Sequence, residues 1–306
     1  MRQITVNRSL LLVFMFCLAA LLTSGTDGSH NGDEDRKGEI KLIVRGDDMG
    51  FCHAANVGCI QSYRDGILKS VEIMVPGPWF NEAVEMLKNN PGLDVGIHLT
   101  VTCEWDNLKW GPVASKDKVS SLVNKDGYFY QRDTQEAGYP PNTGFKEANP
   151  KPEELEIELR AQIEKALMKI PNITHMSVHM GAPTCTPDLK AVVEKLSREY
   201  KLPLGVPGAR GAGSFVKSTS ISEIEIEKNL VEVLEKLEPG NLYLLIEHPG
   251  IDCPEMRAIG HLRSRFVAIQ RAGVTRAFTS DWVNDVIRGK GICTVSYGQM
   301  LKVIDQ

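Results

Sequence analysis

The chain has 306 residues, 42% hydrophobic and 24% charged, with 35 Lys and Arg against 39 Asp and Glu for a formal net charge of −4. No basic run offers a footprint for nucleic acid, and no stretch beyond the first 25 residues is apolar enough to span a membrane. The cysteines are widely spaced without a CxxC pair, which argues against a structural zinc site.

The chain opens with a targeting pattern. Arg2 and Arg8 flank the start of an almost wholly apolar stretch, Ser9 to Leu22, and Thr23-Ser24-Gly25 supplies small residues for cleavage. This is the pattern of a secretory signal peptide over residues 1–25, and the apolar run is short for a membrane span. Cys17 follows the bulky Phe14-Met15-Phe16, so no lipid anchor is expected. The expected location is exported, periplasmic or secreted, without stable membrane insertion after cleavage; an uncleaved N-terminal anchor is the alternative. Residues 26–38 are polar and Gly-rich and read as a disordered lead-in. Residues 39–306 are expected to form a single domain, and about 270 residues suffice for one substantial core. The six cysteines there (Cys52, Cys59, Cys103, Cys185, Cys253 and Cys293) allow about fifteen complete disulfide pairings, with ordinary buried thiols as an equal alternative.

Strand-like and helix-like segments then alternate. Short Val/Ile/Leu runs at Ile40–Arg45, Ser70–Val75, Asp94–Leu99, Ile173–Val178, Leu202–Val206, Leu242–Glu247 and Thr275–Thr279, with a weaker one at Ile292–Ser296, read as parallel strands covered on both faces. Amphipathic helices are expected at Ala54–Asp65, Trp79–Asn89, Pro152–Lys169, Pro187–Tyr200, Ser222–Leu237 and Leu262–Ala272. Thr186-Pro187 gives a cap and a first-turn proline, and Ser222 with Glu225 a capping box. Strict alternation makes an α/β fold with a parallel sheet of about seven strands. No Gly-rich nucleotide-binding fingerprint follows the first strand, so a (β/α) barrel-like domain, irregular or incomplete, is preferred over a doubly wound sheet. Val101 to Pro150 breaks the alternation with Trp105, Trp110, Tyr128, Tyr130 and Tyr139 among Gly, Pro, Lys and Asp. It is expected to be a lid or substrate wall, or else plain packing over the barrel mouth.

Candidate chemistry collects at strand ends, where α/β folds place their ligands. Asp47 and Asp48 end the first strand, His98 the third, and Glu247-His248 the sixth, while His175 and His179 bracket the fourth. Adjacent carboxylates repel, so a buried pair needs a cation or a shared proton. Four of the seven histidines fall at these ends. His175 and His179 lie about 13 Å apart along a strand, too far to share one ion, so one coordinates while the other packs or orients. One carboxylate and two imidazoles make three metal ligands with open positions. If Asp48 ligates, Asp47 is free to act as a base on water, and His248 to protonate a leaving group. Hydrolysis of an amide or ester fits; a His/His/carboxylate Fe(II) oxygenase uses similar ligands but has no need of the spare Asp.

At these residues the chain resembles the YdjC-like (ChbG-type) carbohydrate deacetylase family. Leu42-Ile-Val-Arg-Gly-Asp47-Asp48-Met-Gly-Phe51 is similar to its opening L-I-V-N-A-D-D-F-G, and Asn56 to Ser70 to its next helix and G-I-V-T-S. Pro91 to Leu99 is similar to P-x-L-x-I-G-x-H, Thr174 to His179 to T-H-x-D-S-H, and His248-Pro-Gly to H-P-G/A. The resemblance covers most of residues 40 to 300. It implies a barrel-like fold, Asp48, His98 and His179 as metal ligands, Asp47 as base and His248 as acid. It also implies removal of an N-acetyl group from an amino sugar or oligosaccharide, with Mg²⁺ as the cation; Zn²⁺ suits two histidines equally. Ser177 departs from the family's Asp, Val178 from its Ser, and Arg45-Gly46 from its Asn-Ala. Ser177 bears on how the ligands are oriented, and the export signal on which sugar is met. A non-catalytic carbohydrate-binding barrel is the alternative from another class. These residues are compatible with a homo-oligomer.

Overall fold

The computed structural model describes residues 38–304, so the expected signal and, apart from Gly38, the polar lead-in lie outside the described residues. The elements are β1 (Ile40–Met49), α1 (His53–Arg64), β2 (Ser70–Ile73), α2 (Phe80–Lys88), β3 (Asp94–Leu99), α3 (Pro152–Lys169), β4 (Ile173–Val178), α4 (Pro187–Tyr200), β5 (Arg210–Gly211), α5 (Glu223–Glu235), β6 (Leu242–Glu247), α6 (Pro254–Arg257), α7 (Val267–Phe278), α8 (Asp281–Gly289), β7 (Ile292–Val295) and α9 (Tyr297–Ile304). The strands form one seven-stranded sheet in the order β4-β3-β2-β1-β6-β5, with β7 beside β1. Every pairing is parallel. The expected barrel is therefore present in incomplete form, a half-barrel with β4 and β5 at its ends.

The long first strand organises the sheet. Its first residues pair with β7 (Ile40↔Ile292), its last with β2 (Met49↔Ile73), and β6 runs along Lys41–Gly46. Leu42, Val44, Val71, Ile73, Ile97 and Leu245 are fully buried on one face of the sheet. Burying each such side chain contributes about 1.5–3 kcal/mol. Helix starts follow the sequence: Thr186 Oγ1 accepts from Leu189 N–H and Ser222 Oγ from Glu225 N–H, with Pro152 and Pro187 in their first turns.

Two expected strands are corrected. Leu202–Val206 is not a strand: Pro203 and Pro207 cannot donate to a ladder, and the segment keeps a single backbone bond to the sheet, Met176 N–H to Pro203 O at 2.9 Å. The pairing moves on to the short β5. Thr275–Thr279 is helical, because α7 continues through Val274 and Thr275 to Phe278. Val267, Val274, Ala277 and Phe278 are buried there, and Gly273 admits Ile226 of α5 where a Cβ would lie 2.5 Å from it. Packing overrides the β-branched preference.

The segment between β3 and α3 contains only short 3₁₀ turns and isolated bridges. Most of its aromatics pack: Trp110, Phe129 and Phe145 are buried, and Trp110 Nε1 donates to Thr102 O at 2.9 Å. Glu158 of α3 pins it by accepting from Val113 and Ala114 N–H at 3.0 and 2.9 Å. Glu104, Trp105 and Arg132 of the segment reach the cleft described below. All six cysteines in the described residues are free, with Cys52, Cys59 and Cys103 buried. No described helix is long and apolar enough to cross a membrane.

Candidate active site

Adjacent strand residues ordinarily point to opposite faces. Asp47 and Asp48 nevertheless line the same cleft of about 420 Å³, together with His98, His179 and His248. The cause is local. Asp48 has φ 67°, the left-handed region that a non-glycine residue seldom occupies, and the β1–β2 register shifts between Gly46 and Met49. Such a bulge re-aims a side chain at a cost of about 1–3 kcal/mol, which the surrounding structure must offset. Asn56 helps hold it, its Oδ1 accepting from Gly50 N–H at 2.7 Å.

Asp48, His98 and His179 are buried, and each offers an atom within 4.8 Å of the others. His98 Nε2 lies 3.6 Å and His179 Nδ1 3.3 Å from Asp48 Oδ1. That oxygen is buried and accepts no hydrogen bond. Its partner Oδ2 accepts from Arg271 Nη2 at 2.7 Å. A bare carboxylate oxygen facing two imidazole nitrogens is the donor set of a divalent cation, so the residues present fit one. His175 does not join them. It is fully buried, stacked 3.9 Å from the Tyr297 ring, with its Nε2 2.6 Å from Glu72 Oε1. Of the two histidines bracketing β4, His179 faces the site and His175 packs.

Each ring is oriented from behind, as ligand histidines commonly are. His179 Nε2 lies 3.0 Å from Glu104 Oε2, and His98 Nδ1 2.6 Å from Ser177 Oγ. Burial lowers the pKa of His98. For His179, burial works in the same direction but Glu104 and Asp48 outweigh it, raising the pKa to about 10. Burial opposes the charge on Asp48, yet His248, Arg271 and His179 hold its pKa well below the usual carboxylate range. Arg45, unlike the Asn of the resembling motif, clamps Asp47 with two bonds: Nε to Oδ1 at 2.7 Å and Nη2 to Oδ2 at 2.8 Å. Asp47 Oδ2 lies 3.8 Å from His98 Nε2. His248, its side chain 42% exposed, approaches Asp48 Oδ2 at 3.8 Å and Glu247 at 3.6 Å. Burial lowers its pKa, but Asp48 and Glu247 raise it further, to a net increase.

The structure thus brings Asp47, Asp48, His98, His179, Glu247 and His248 to one cleft and leaves His175 outside it. It adds three that sequence reasoning missed, Glu104, Arg271 and Glu72, and gives Ser177, already marked as bearing on ligand orientation, its contact with His98. Arg45 carried a readable signal, since its i, i+2 spacing from Asp47 places both on one strand face. Arg271 sits in a helix more than two hundred residues from Asp48 and carried none.

A model of the YdjC-like protein family matches residues 41–289. A carbohydrate deacetylase of Thermoanaerobacter pseudethanolicus is 31% identical over 219 residues, spanning 68% of this chain and 80% of that protein. One from Thermus thermophilus is 31% identical over 243 residues, 72% of this chain and 82% of its own length. A match to the Brevibacillus brevis carbohydrate deacetylase, at 33% identity, spans 55% of this chain and 60% of that protein. Among solved structures, one described as a cellobiose-phosphate cleavage protein from Enterococcus faecalis V583 superposes with a TM-score of 0.69 at 23% identity, over 85% of this chain and 98% of that one. That likeness is one of fold.

Proposed function

The chain belongs to the YdjC-like family, and from that premise we propose that it is a divalent-metal-dependent hydrolase removing an N-acetyl group from an amino sugar or oligosaccharide. The observation that carries this reading is the unbonded, buried Asp48 Oδ1 between His98 and His179, with a second carboxylate, Asp47, beside it. Asp48, His98 and His179 would hold the cation, Mg²⁺ by resemblance and Zn²⁺ by donor type. When bound, it supplies Lewis-acid polarisation of the acyl carbonyl and acidifies water.

The protein's own groups do the rest. Asp47 accepts the proton of the attacking water, and the Arg45 clamp fixes the direction of its lone pairs. His248 reaches solvent, and Asp48 and Glu247 favour its protonated form, so it is the group placed to give a proton to the departing amine nitrogen. The cleft lies in the usual range for small-ligand sites and has Trp105, His261 and Gln270 in its wall to face a sugar. The signal pattern of residues 1–25 supports an exported enzyme, acting on an N-acetylated substrate outside the cytoplasm.

The test is acetate release from a panel of N-acetylated amino-sugar monomers and oligomers. Release lost in EDTA and restored by Mg²⁺ or Zn²⁺ is the expected outcome. Absence of acetate from every substrate with either ion would overturn the reading.

A further inference from the structure

Beneath the cleft lies a second carboxylate system that the chemistry above does not use. Glu72 of β2 is fully buried and does not line the cleft. Both its oxygens are engaged: Oε2 accepts from Ser177 Oγ at 2.7 Å, and Oε1 lies 2.6 Å from His175 Nε2 and 3.8 Å from Arg45 Nη1. Ser177 in turn touches His98 Nδ1 at 2.6 Å, and Arg45 holds Asp47. One buried side chain therefore stands behind both halves of the site.

We propose that Glu72 is a positioning residue, which through Ser177 sets the tautomer and direction of His98 and through Arg45 the direction of Asp47. The inference rests on the reading of His98 as a metal ligand. Hydrogen-bond direction sets the chain of consequences. A carboxylate only accepts, so the single hydroxyl proton of Ser177 goes to Glu72. Ser177 Oγ must then accept from His98 Nδ1–H. The neutral ring has one proton, so Nε2 carries the lone pair, and Nε2 is the nitrogen 3.6 Å from Asp48 Oδ1. Without the carboxylate the hydroxyl is free to turn and donate to Nδ1, which leaves Nε2 protonated and unable to ligate.

Register makes the reach across strands feasible. Glu72 pairs with Gly96, and Gly96 with His175, while His98 pairs with Ser177 two residues on, the same face of each strand. A Cβ on Gly96 would lie 2.6 Å from Glu72 Oε2 and 2.5 Å from His175 Nε2, so the carboxylate crosses β3 only because that position is glycine. Ser177 stands where the resembling motif has Asp. Here the carboxylate is one hydrogen bond further away and comes from another strand.

The experiment titrates Zn²⁺ calorimetrically into the EDTA-stripped full chain and into E72Q, S177A and the E72Q/S177D double variant. Substituting Glu72→Gln keeps shape and should weaken Zn²⁺ binding by about 10–100-fold, with kcat for acetate release falling and KM nearly unchanged. Ser177→Asp in that background returns a carboxylate directly to His98 Nδ1 and should restore most of the affinity, a rescue that space filling does not predict. A folded E72Q protein with wild-type Zn²⁺ affinity, or no recovery in the double variant, overturns the proposal. If E72Q fails to fold by circular dichroism, S177A decides: it leaves the Glu72–His175 contact intact, so weakened Zn²⁺ binding supports the relay and unchanged binding overturns it. Zn²⁺ affinity is read without substrate, so a chain that released no acetate would defeat the functional reading and still reveal whether Glu72 positions His98.

Discussion

Two neighbouring aspartates acquire different work from a single backbone torsion. With Asp48 at φ 67°, its side chain turns to the cleft that Asp47 already faces, and their surroundings then divide them. Asp48 is held by Arg271 through one oxygen and leaves the other bare; Asp47 is gripped on both by Arg45. The division predicts that Asp47→Asn keeps Zn²⁺ affinity within about threefold of wild type, while kcat for acetate release falls by about 10²–10⁴-fold, the usual worth of a positioned general base. Calorimetry and an acetate assay on the same preparation check it. An active, metal-bound Asp47→Asn protein would remove Asp47 from the role of base. The aspartate pair was visible in the sequence as a motif. The torsion that aims it was not, because a left-handed aspartate has no reliable local signature.

The turn after β6 shows how elements, rather than residues, place the proposed acid His248. His248-Pro249-Gly250 is fixed from two sides. Thr275 Oγ1 of α7 accepts from Gly250 N–H at 3.0 Å and donates to Gly250 O at 2.7 Å. From the other side α1 presses so close that a Cβ on Gly58 would lie 2.4 Å from Gly250 N and Cα. Both contacts are backbone or short side chain and have little room to yield. Gly58→Ala is therefore expected to lower stability by about 1–3 kcal/mol, read from urea denaturation, and to reduce kcat because His248 is displaced with its turn. Gly289→Ala at the end of α8, where a Cβ meets nothing within 4 Å, is the matched control and should change neither. The helix containing Thr275 is also where the local reading misled: Thr275–Thr279 reads as strand, yet α7 runs on to Phe278 where it packs against α5 and α1.

Across the whole molecule, one parallel half-barrel gathers the carboxyl ends of β1, β3, β4 and β6 around one cleft and closes its core without a disulfide among the described residues. Burial pushes the thiols of Cys52 and Cys103 up to about 12, and that of Cys59 up further, so almost no thiolate exists near neutral pH. Iodoacetamide labelling of the native chain at pH 8, read by mass spectrometry, should leave Cys52, Cys59 and Cys103 unmodified, and all should react in urea; labelling of any of them in the native protein would contradict the packing. What local chemistry encodes is legible along the chain: alternating strands and helices, most helix limits, and the strand ends that carry Asp47, Asp48, His98, His179 and His248. Those follow from side-chain periodicity, caps and chain breakers within a few residues of one another. Packing in three dimensions settles the rest: β5 lies beyond the proline-rich segment, His175 stacks on Tyr297 outside the site, and Arg271, Glu104 and Glu72 brace the residues that line it. Each of these depends on the register and packing of elements distant in the chain, and no window of sequence contains both partners of such a contact.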